Sequence, residues 1–195
     1  MRNTVLKEMD KCSGCGLCET VCPAQAIKME YDKSGFIYPV IQKEKCIDCG
    51  LCERKCVVIT VSVEYPRTCY AGVHLDEKIR AKSSSGGMFA ALAEYTLEQG
   101  GVVFGAAVVP KGKIVTVKHI MIKNKEELKK LQGSKYVQSD IRECYTNVKQ
   151  QLAEGKKVLF SGTPCQVAAM KNYLGKEYDD LLLVDLVCHG TPSIL

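Results

Sequence analysis

No apolar run in this chain of 195 residues approaches the roughly 18 that a membrane-crossing helix needs, so a helical membrane span is excluded. The first ten residues mix Arg2, Lys7, Glu8 and Asp10 with few apolar ones, so no secretory leader is expected and the compartment is read as a reducing cytosol. Histidine is scarce: there are three, none before His74, which leaves no partner for a mixed cysteine–histidine zinc site in the first third of the chain. Also missing is any stripe of like charge. The formal net charge is +5, but the lysines are scattered. Eight cluster-bound thiolates and two oxidised cluster cores would bring the total to about +1. Nucleic acid is therefore not expected as a partner. No nucleophile–base pair or pair of carboxylates stands out, which leaves redox chemistry as the class that suits the chain.

What is present is cysteine. Eight of the 12 lie between Cys12 and Cys56, and in a reducing compartment such a cluster reads as metal ligands. The run Cys12-Ser-Gly-Cys15-Gly-Leu-Cys18-Glu-Thr-Val-Cys22-Pro23 has the spacing of a bacterial ferredoxin, and Cys46-Ile-Asp-Cys49-Gly-Leu-Cys52-Glu-Arg-Lys-Cys56 repeats it. A cubane cluster needs four convergent thiolates. Three come from one tight loop, whose glycines Gly14, Gly16 and Gly50 let backbone amides approach the sulfurs. The fourth sits a helical turn later and in two-cluster ferredoxins serves the other cluster. The expected ligand sets are thus Cys12, Cys15, Cys18 and Cys56 for one 4Fe-4S cluster, and Cys46, Cys49, Cys52 and Cys22 for the second. Proline follows Cys22, whereas Val57 follows Cys56. Ile27 to Tyr31, a Lys33-Ser34-Gly35 turn and Phe36 to Val40 read as a hairpin between the runs. Each half is too small to enclose a cluster alone, so metal binding and folding are expected to be coupled.

After Pro66 the pattern changes. A dicluster domain is expected over residues 1–62 and a second domain over 63–195. In the second, Cys69 to Leu75, Val102 to Val109, Ile114 to Ile122, Lys157 to Ser161 and Leu181 to Val187 read as strands. Helices are expected from Met88 to Gln99, after an Asn124–Glu127 capping box, after an Asp140–Glu143 cap as far as Gly155, and from Pro164 through Met170. The expected fold is an α+β ferredoxin-like dicluster domain followed by an α/β domain with a mostly parallel sheet, incomplete at the C-terminus. Ligands of such sheets gather beyond the carboxyl ends of the strands, where Cys165 and Cys188 fall. The Ser83–Gly87 run before a helix offers a phosphate cradle or simply a cap. Cys69 and Cys144 read as buried core cysteines, His74 and His119 as surface or satisfied residues, and Leu92, Leu97, Val148 and Leu152 as core.

Taken together, Arg80-Ala-Lys-Ser83-Ser84-Ser85-Gly86-Gly87, Gly133-Ser134-Lys135-Tyr136, Gly162-Thr163-Pro164-Cys165-Gln166 and Cys188-His189-Gly190-Thr-Pro-Ser resemble the coenzyme F-420 hydrogenase/dehydrogenase beta-subunit family, in its bacterial branch with a fused N-terminal 2x4Fe-4S ferredoxin domain. The resemblance implies an iron–sulfur flavoprotein that binds FAD and passes electrons between clusters and a hydride carrier such as reduced deazaflavin. It places Ser85, Gly86 and Gly87 on the flavin-binding glycine turn, and Ser134, Lys135 and Tyr136 on a second flavin-contacting segment. Cys165 and Cys188 match ligands of a third 4Fe-4S cluster beside the flavin. The family pattern continues past Leu195 with a Cys-x-x-Cys pair, and two thiolates cannot hold a cubane. The third cluster is therefore expected only if ligands are supplied from elsewhere, the chain being read as a fragment or as one completed by a partner chain. The leading expectation is a flavin-linked iron–sulfur oxidoreductase subunit working with a redox protein or another enzyme subunit. The alternatives are a ferredoxin-like electron carrier or docking module, and an inactive piece of a longer enzyme.

Overall fold

A computed structural model describes residues 5–6, 8–60, 68–112 and 114–193. The expected domain boundary after residue 62 lies outside the described residues.

The two cysteine runs build the first unit. Each turns through a left-handed glycine, Gly16 (φ 74°) or Gly50 (φ 69°), into a short helix: α1 (Leu17–Val21) or α2 (Leu51–Arg54). Only glycine takes this conformation without strain, so the Cys-Gly-Leu-Cys order sets the turn. Between them β1 (Ile27–Tyr31) pairs antiparallel with β2 (Ile37–Ile41), Ile27 opposite Ile41. Asp32 closes the hairpin by accepting from the amides of Ser34 and Phe36, both at 2.9 Å. The expected hairpin is present. Val57, standing where the first run has proline, opens α3 (Val57–Thr60) and is buried in the core shared with the second unit.

The second unit opens with α4 (Glu77–Ala81), capped by Asp76, and α5 (Met88–Glu98). Its sheet contains β3 (Val102–Lys111), β4 (Ile114–Ile122), β5 (Val158–Gly162) and β6 (Leu181–Asp185), in the order β4-β3-β5-β6. β3 and β4 form an antiparallel hairpin, whereas β5 lies parallel to both β3 and β6. The sheet is mixed and mostly parallel. Strand alternation sends Val102, Phe104, Val158 and Phe160 to one face and Val103, Ala107 and Leu159 to the other. The first face is covered by α6 (Arg142–Ala153) and α7 (Pro164–Leu174), the second by α5 and the 3-10 turn at Lys125–Lys130. Leu17 and Val57 join the first core, so the dicluster unit is packed onto the α6–α7 layer.

Several local expectations need correction. Cys69 to Leu75 forms no strand; its backbone instead lies against the Gly86–Gly87 turn, His74 N–H donating to the Gly86 carbonyl at 2.6 Å. Cys69 is exposed, not core, because this segment has no sheet neighbour to cover it. Pro110 continues β3 rather than ending it. β5 pairs only with Val102 to Phe104, so on that side nothing requires the missing amide donor. Asn124 does cap, accepting from Glu127 N–H at 3.1 Å, but the six residues that follow are 3-10. The cap residue of α6 is Ile141, one position after the expected Asp140, whose carboxylate accepts from the Arg142 amide and grips its guanidinium.

Candidate cluster and cofactor sites

The sulfurs of the first run are half-buried. Burial, with the neighbouring thiolate charges behind it, pushes the Cys15 thiol up to about 11 and Cys18 and Cys12 also upward. Charge on Cys56 adds to the rise at Cys12 and Cys18, and charge on Cys22 adds to the rise, led by burial, at Cys52. Cys56 thus stands on the side of Cys12 and Cys18, and Cys22 lines one small cleft with Cys46, Cys49 and Cys52. Backbone amides donate to sulfur at Cys12 (from Gly14, 3.4 Å) and Cys22 (from Ala26, 3.3 Å), as a thiolate on iron needs. Among the described residues no three His, Cys, Asp or Glu side chains are gathered as a single metal ion would require. A cubane instead spreads its thiolates over separate iron corners, and the two loops fit that group.

Three side chains of the second unit hold the first loop. Gln138 donates to the Ser13 carbonyl at 2.6 Å and Tyr145 to the Cys15 carbonyl at 2.9 Å. Arg142 donates to Glu19 at 2.7 Å, while its other edge is paired with Asp140. Burial opposes a charge on Asp140, but Arg142 wins and holds the carboxyl below its usual range. At the other end of the contact, Lys55 Nζ donates to the Asn172 carbonyl and the Asn172 amide donates back to the Lys55 carbonyl. Sequence reasoning missed all of these. No motif marks them, and they become partners only through docking.

Beside this contact, with Gln138 in its wall, a cavity of about 680 Å³ opens at the carboxyl ends of β5 and β6. It is lined by the Ser83–Gly87 turn, by the segment 133–139 and by the loop carrying Cys188 and His189. Ser85, Gly86, Gly87, Ser134, Lys135, Tyr136 and Cys188 are thus brought to one space, and Ser134 Oγ lies 3.4 Å from Ser84 Oγ. Gly87 (φ 84°) begins α5, whose N-terminus has no side-chain cap. An ideal Cβ on Gly87 would stand 2.8 Å from His74 Cβ. Small Gly105 and Ala106 lie in the wall. The hydroxyls of the Ser83–Gly87 turn and the uncapped N-terminus of α5 could hold an anionic group at one side of the cavity, and its apolar wall could hold a flat ring. Lys135 is otherwise engaged, its ammonium donating to the carbonyls of Lys130, Leu131 and Gln132 at 2.8–3.3 Å, and burial lowers its pKa.

A buried polar chain forms part of the cavity wall. His119 donates through Nε2 to the Ser161 carbonyl at 2.7 Å, so Nδ1 is the acceptor for Ser139 Oγ–H at 2.8 Å. Gln166 donates to the Ser139 carbonyl and hydroxyl and accepts from Thr163 N–H. Burial lowers the His119 pKa to about 4 and keeps the ring neutral. Cys188 is exposed and accepts from Gly190 N–H at 3.4 Å, repeating the Cys-x-Gly turn of Cys12. Cys165 does not line the cavity. It sits in the first turn of α7, 3.2 Å from Thr163 Oγ1, and its charge is felt at Cys12 and Cys15.

Comparison with known proteins follows this division. The 4Fe-4S dicluster domain matches residues 11–58. The N-terminal part of the coenzyme F420 hydrogenase/dehydrogenase beta subunit matches residues 69–144, and its C-terminal part matches 155–195. The chain belongs to the coenzyme F420 hydrogenase/dehydrogenase beta-subunit family. No curated protein matches it. A chain of the F420-reducing [NiFe] hydrogenase complex from Methanosarcina barkeri, solved as a xenon derivative, shares the fold with a TM-score of 0.52 at 22% identity. The likeness covers 63% of this beta-subunit family member and 44% of that chain. Among the described residues of this family member, no helix is long and apolar enough to cross a membrane.

Proposed function

We propose that this chain is an iron–sulfur, flavin-linked oxidoreductase subunit passing electrons between two 4Fe-4S clusters and a flavin or other hydride carrier. Cys12, Cys15, Cys18 and Cys56 would hold one cluster and Cys46, Cys49, Cys52 and Cys22 the other. A dicluster domain over residues 1–62 and an α/β domain over 63–195 divide the work. The observation that carries the reading is the cavity: three separated segments bearing Ser85–Gly87, Ser134–Tyr136 and Cys188 line one space, and Gln138 of its wall donates to the Ser13 carbonyl of the first cluster loop at 2.6 Å.

Bound FAD would supply the interchange between one-electron and hydride chemistry. The residues of this chain bind and orient it. The Ser83–Gly87 turn would hold its anionic part, and the small residues Gly105 and Ala106 in the wall would leave room for its ring. The neutral His119–Ser139–Gln166 chain fixes the backbone of Ser161 and Thr163 at the cavity edge. Cys165 and Cys188 are two candidate ligands for a third cluster, which needs further thiolates from outside the described residues. A redox protein or a further enzyme subunit is the expected partner, and a deazaflavin or related hydride carrier the expected substrate.

Anaerobic purification with iron, labile-sulfide and flavin analysis tests this. About eight irons per chain, with stoichiometric FAD reduced by a hydride donor, is the expected result, and about twelve would mean that the third site is filled. Eight irons without a flavin band near roughly 450 nm would favour an electron carrier or docking module instead. Colourless protein, or protein holding zinc, would overturn both.

A further inference from the structure

The two cysteine runs are near copies in sequence, yet equivalent positions meet different surroundings. The Cys15 carbonyl accepts from Tyr145 at 2.9 Å; the equivalent Cys49 carbonyl accepts from Arg54 at 3.0 Å. The first donor comes from α6 of the other unit, the second from within its own run. Leu17 is 1% exposed under α6 and α7, whereas its counterpart Leu51 is only half-buried. Ser13 is held by Gln138, but its counterpart Ile47 is 66% exposed. A Cβ on Gly16 would strike Arg142 at 2.6 Å; one on Gly50 would approach only Arg54 of its own run, at 3.1 Å.

Docking has therefore broken the symmetry of the repeat. We infer that Tyr145 and Arg54 are equivalent positioning residues, one for each cluster. Tyr145 sets the potential of an inner cluster on Cys12, Cys15, Cys18 and Cys56 from the α/β unit. Arg54 sets that of an outer, solvent-facing cluster on Cys22, Cys46, Cys49 and Cys52 from within. The physical reason is common to both. A cluster gains negative charge on reduction, and a donor that ties down a nearby carbonyl removes part of the opposing negative field, so it favours the reduced state. The inference rests on the proposal that both loops hold 4Fe-4S clusters.

The test uses the full chain, purified without oxygen, in a redox titration followed by electron paramagnetic resonance. Tyr145→Phe is expected to move the midpoint of one cluster to lower potential and leave the other in place. Arg54→Gln should lower the other and spare the first. A dissolved dysprosium complex should speed relaxation of the Arg54-sensitive signal more than of the Tyr145-sensitive one in unsubstituted protein. If Tyr145→Phe fails to retain iron, Gln138→Leu, which removes the neighbouring donor to the same loop, makes the same comparison. Shifts of both clusters by either substitution, no shift by either, or equal relaxation of both signals would overturn the inference. Failure of the unsubstituted chain to bind about eight irons would instead overturn the cluster reading on which it rests.

Discussion

At the scale of single residues, Gly16 and Gly50 separate two costs that sequence alone cannot distinguish. Both have positive φ, so alanine at either costs about 1–2 kcal/mol in backbone strain. Only at Gly16 would the new methyl also displace Arg142 from its pairing with Glu19 and Asp140. Gly16→Ala should therefore lower iron retention and the denaturation midpoint clearly more than Gly50→Ala; equal effects would mean that Arg142 moves aside freely. His119 gives a pH dependence whose sign follows from burial. In the fold its pKa is lowered to about 4, below the ordinary value of 6.5, so on acidification the unfolded chain takes up a proton before the folded one does. Stability is therefore full above pH 6.5 and falls between 6.5 and about 4. His119→Gln should flatten that fall in denaturant unfolding measured across this window, although its stability at neutral pH will be lower through the lost bonds to Ser139 and Ser161.

At the scale of elements, α7 depends on one side chain. Gln166 is 2% exposed and ties the start of α7 to the segment before α6, accepting from Thr163 N–H and donating to the Ser139 carbonyl and hydroxyl. Gln166→Leu keeps the volume but takes the side-chain partner from the buried Ser139 carbonyl and the half-buried Thr163 amide, at a cost of about 2–3 kcal/mol in chemical denaturation. A cost below about 0.5 kcal/mol would mean that water replaces the amide. Element existence was largely legible: the hairpin, α5, the β3–β4 pair, β5 and β6 fall near their expected places because periodicity and turn residues act locally. Cys69 to Leu75 misled for a physical reason. Its composition suits a strand, but a strand needs a neighbour with free backbone groups, and here the neighbour is the Gly86–Gly87 turn.

For the whole molecule, docking of the dicluster unit on α6 and α7 makes the two halves interdependent. Tyr145, Arg142 and Gln138 reach from one unit into the loop that needs iron to hold its shape. Removing iron with a chelator should therefore raise amide exchange along Arg142–Ala153 as well as within residues 12–60. Unchanged exchange in that helix would mean that the second unit stands without the first.

The glycine turns of the two cysteine runs were determined by the sequence itself, because cysteine spacing and left-handed backbone are local properties of a dozen residues. The gathering of Ser85–Gly87, Ser134–Tyr136 and Cys188 around one cavity needed the sheet order to bring distant loops to one edge. The inequality of the two cysteine runs, with one carbonyl held by Tyr145 and its twin by Arg54, was decided by tertiary packing alone. A repeat carries the same local instructions twice, and only the surface it docks against can make the copies differ.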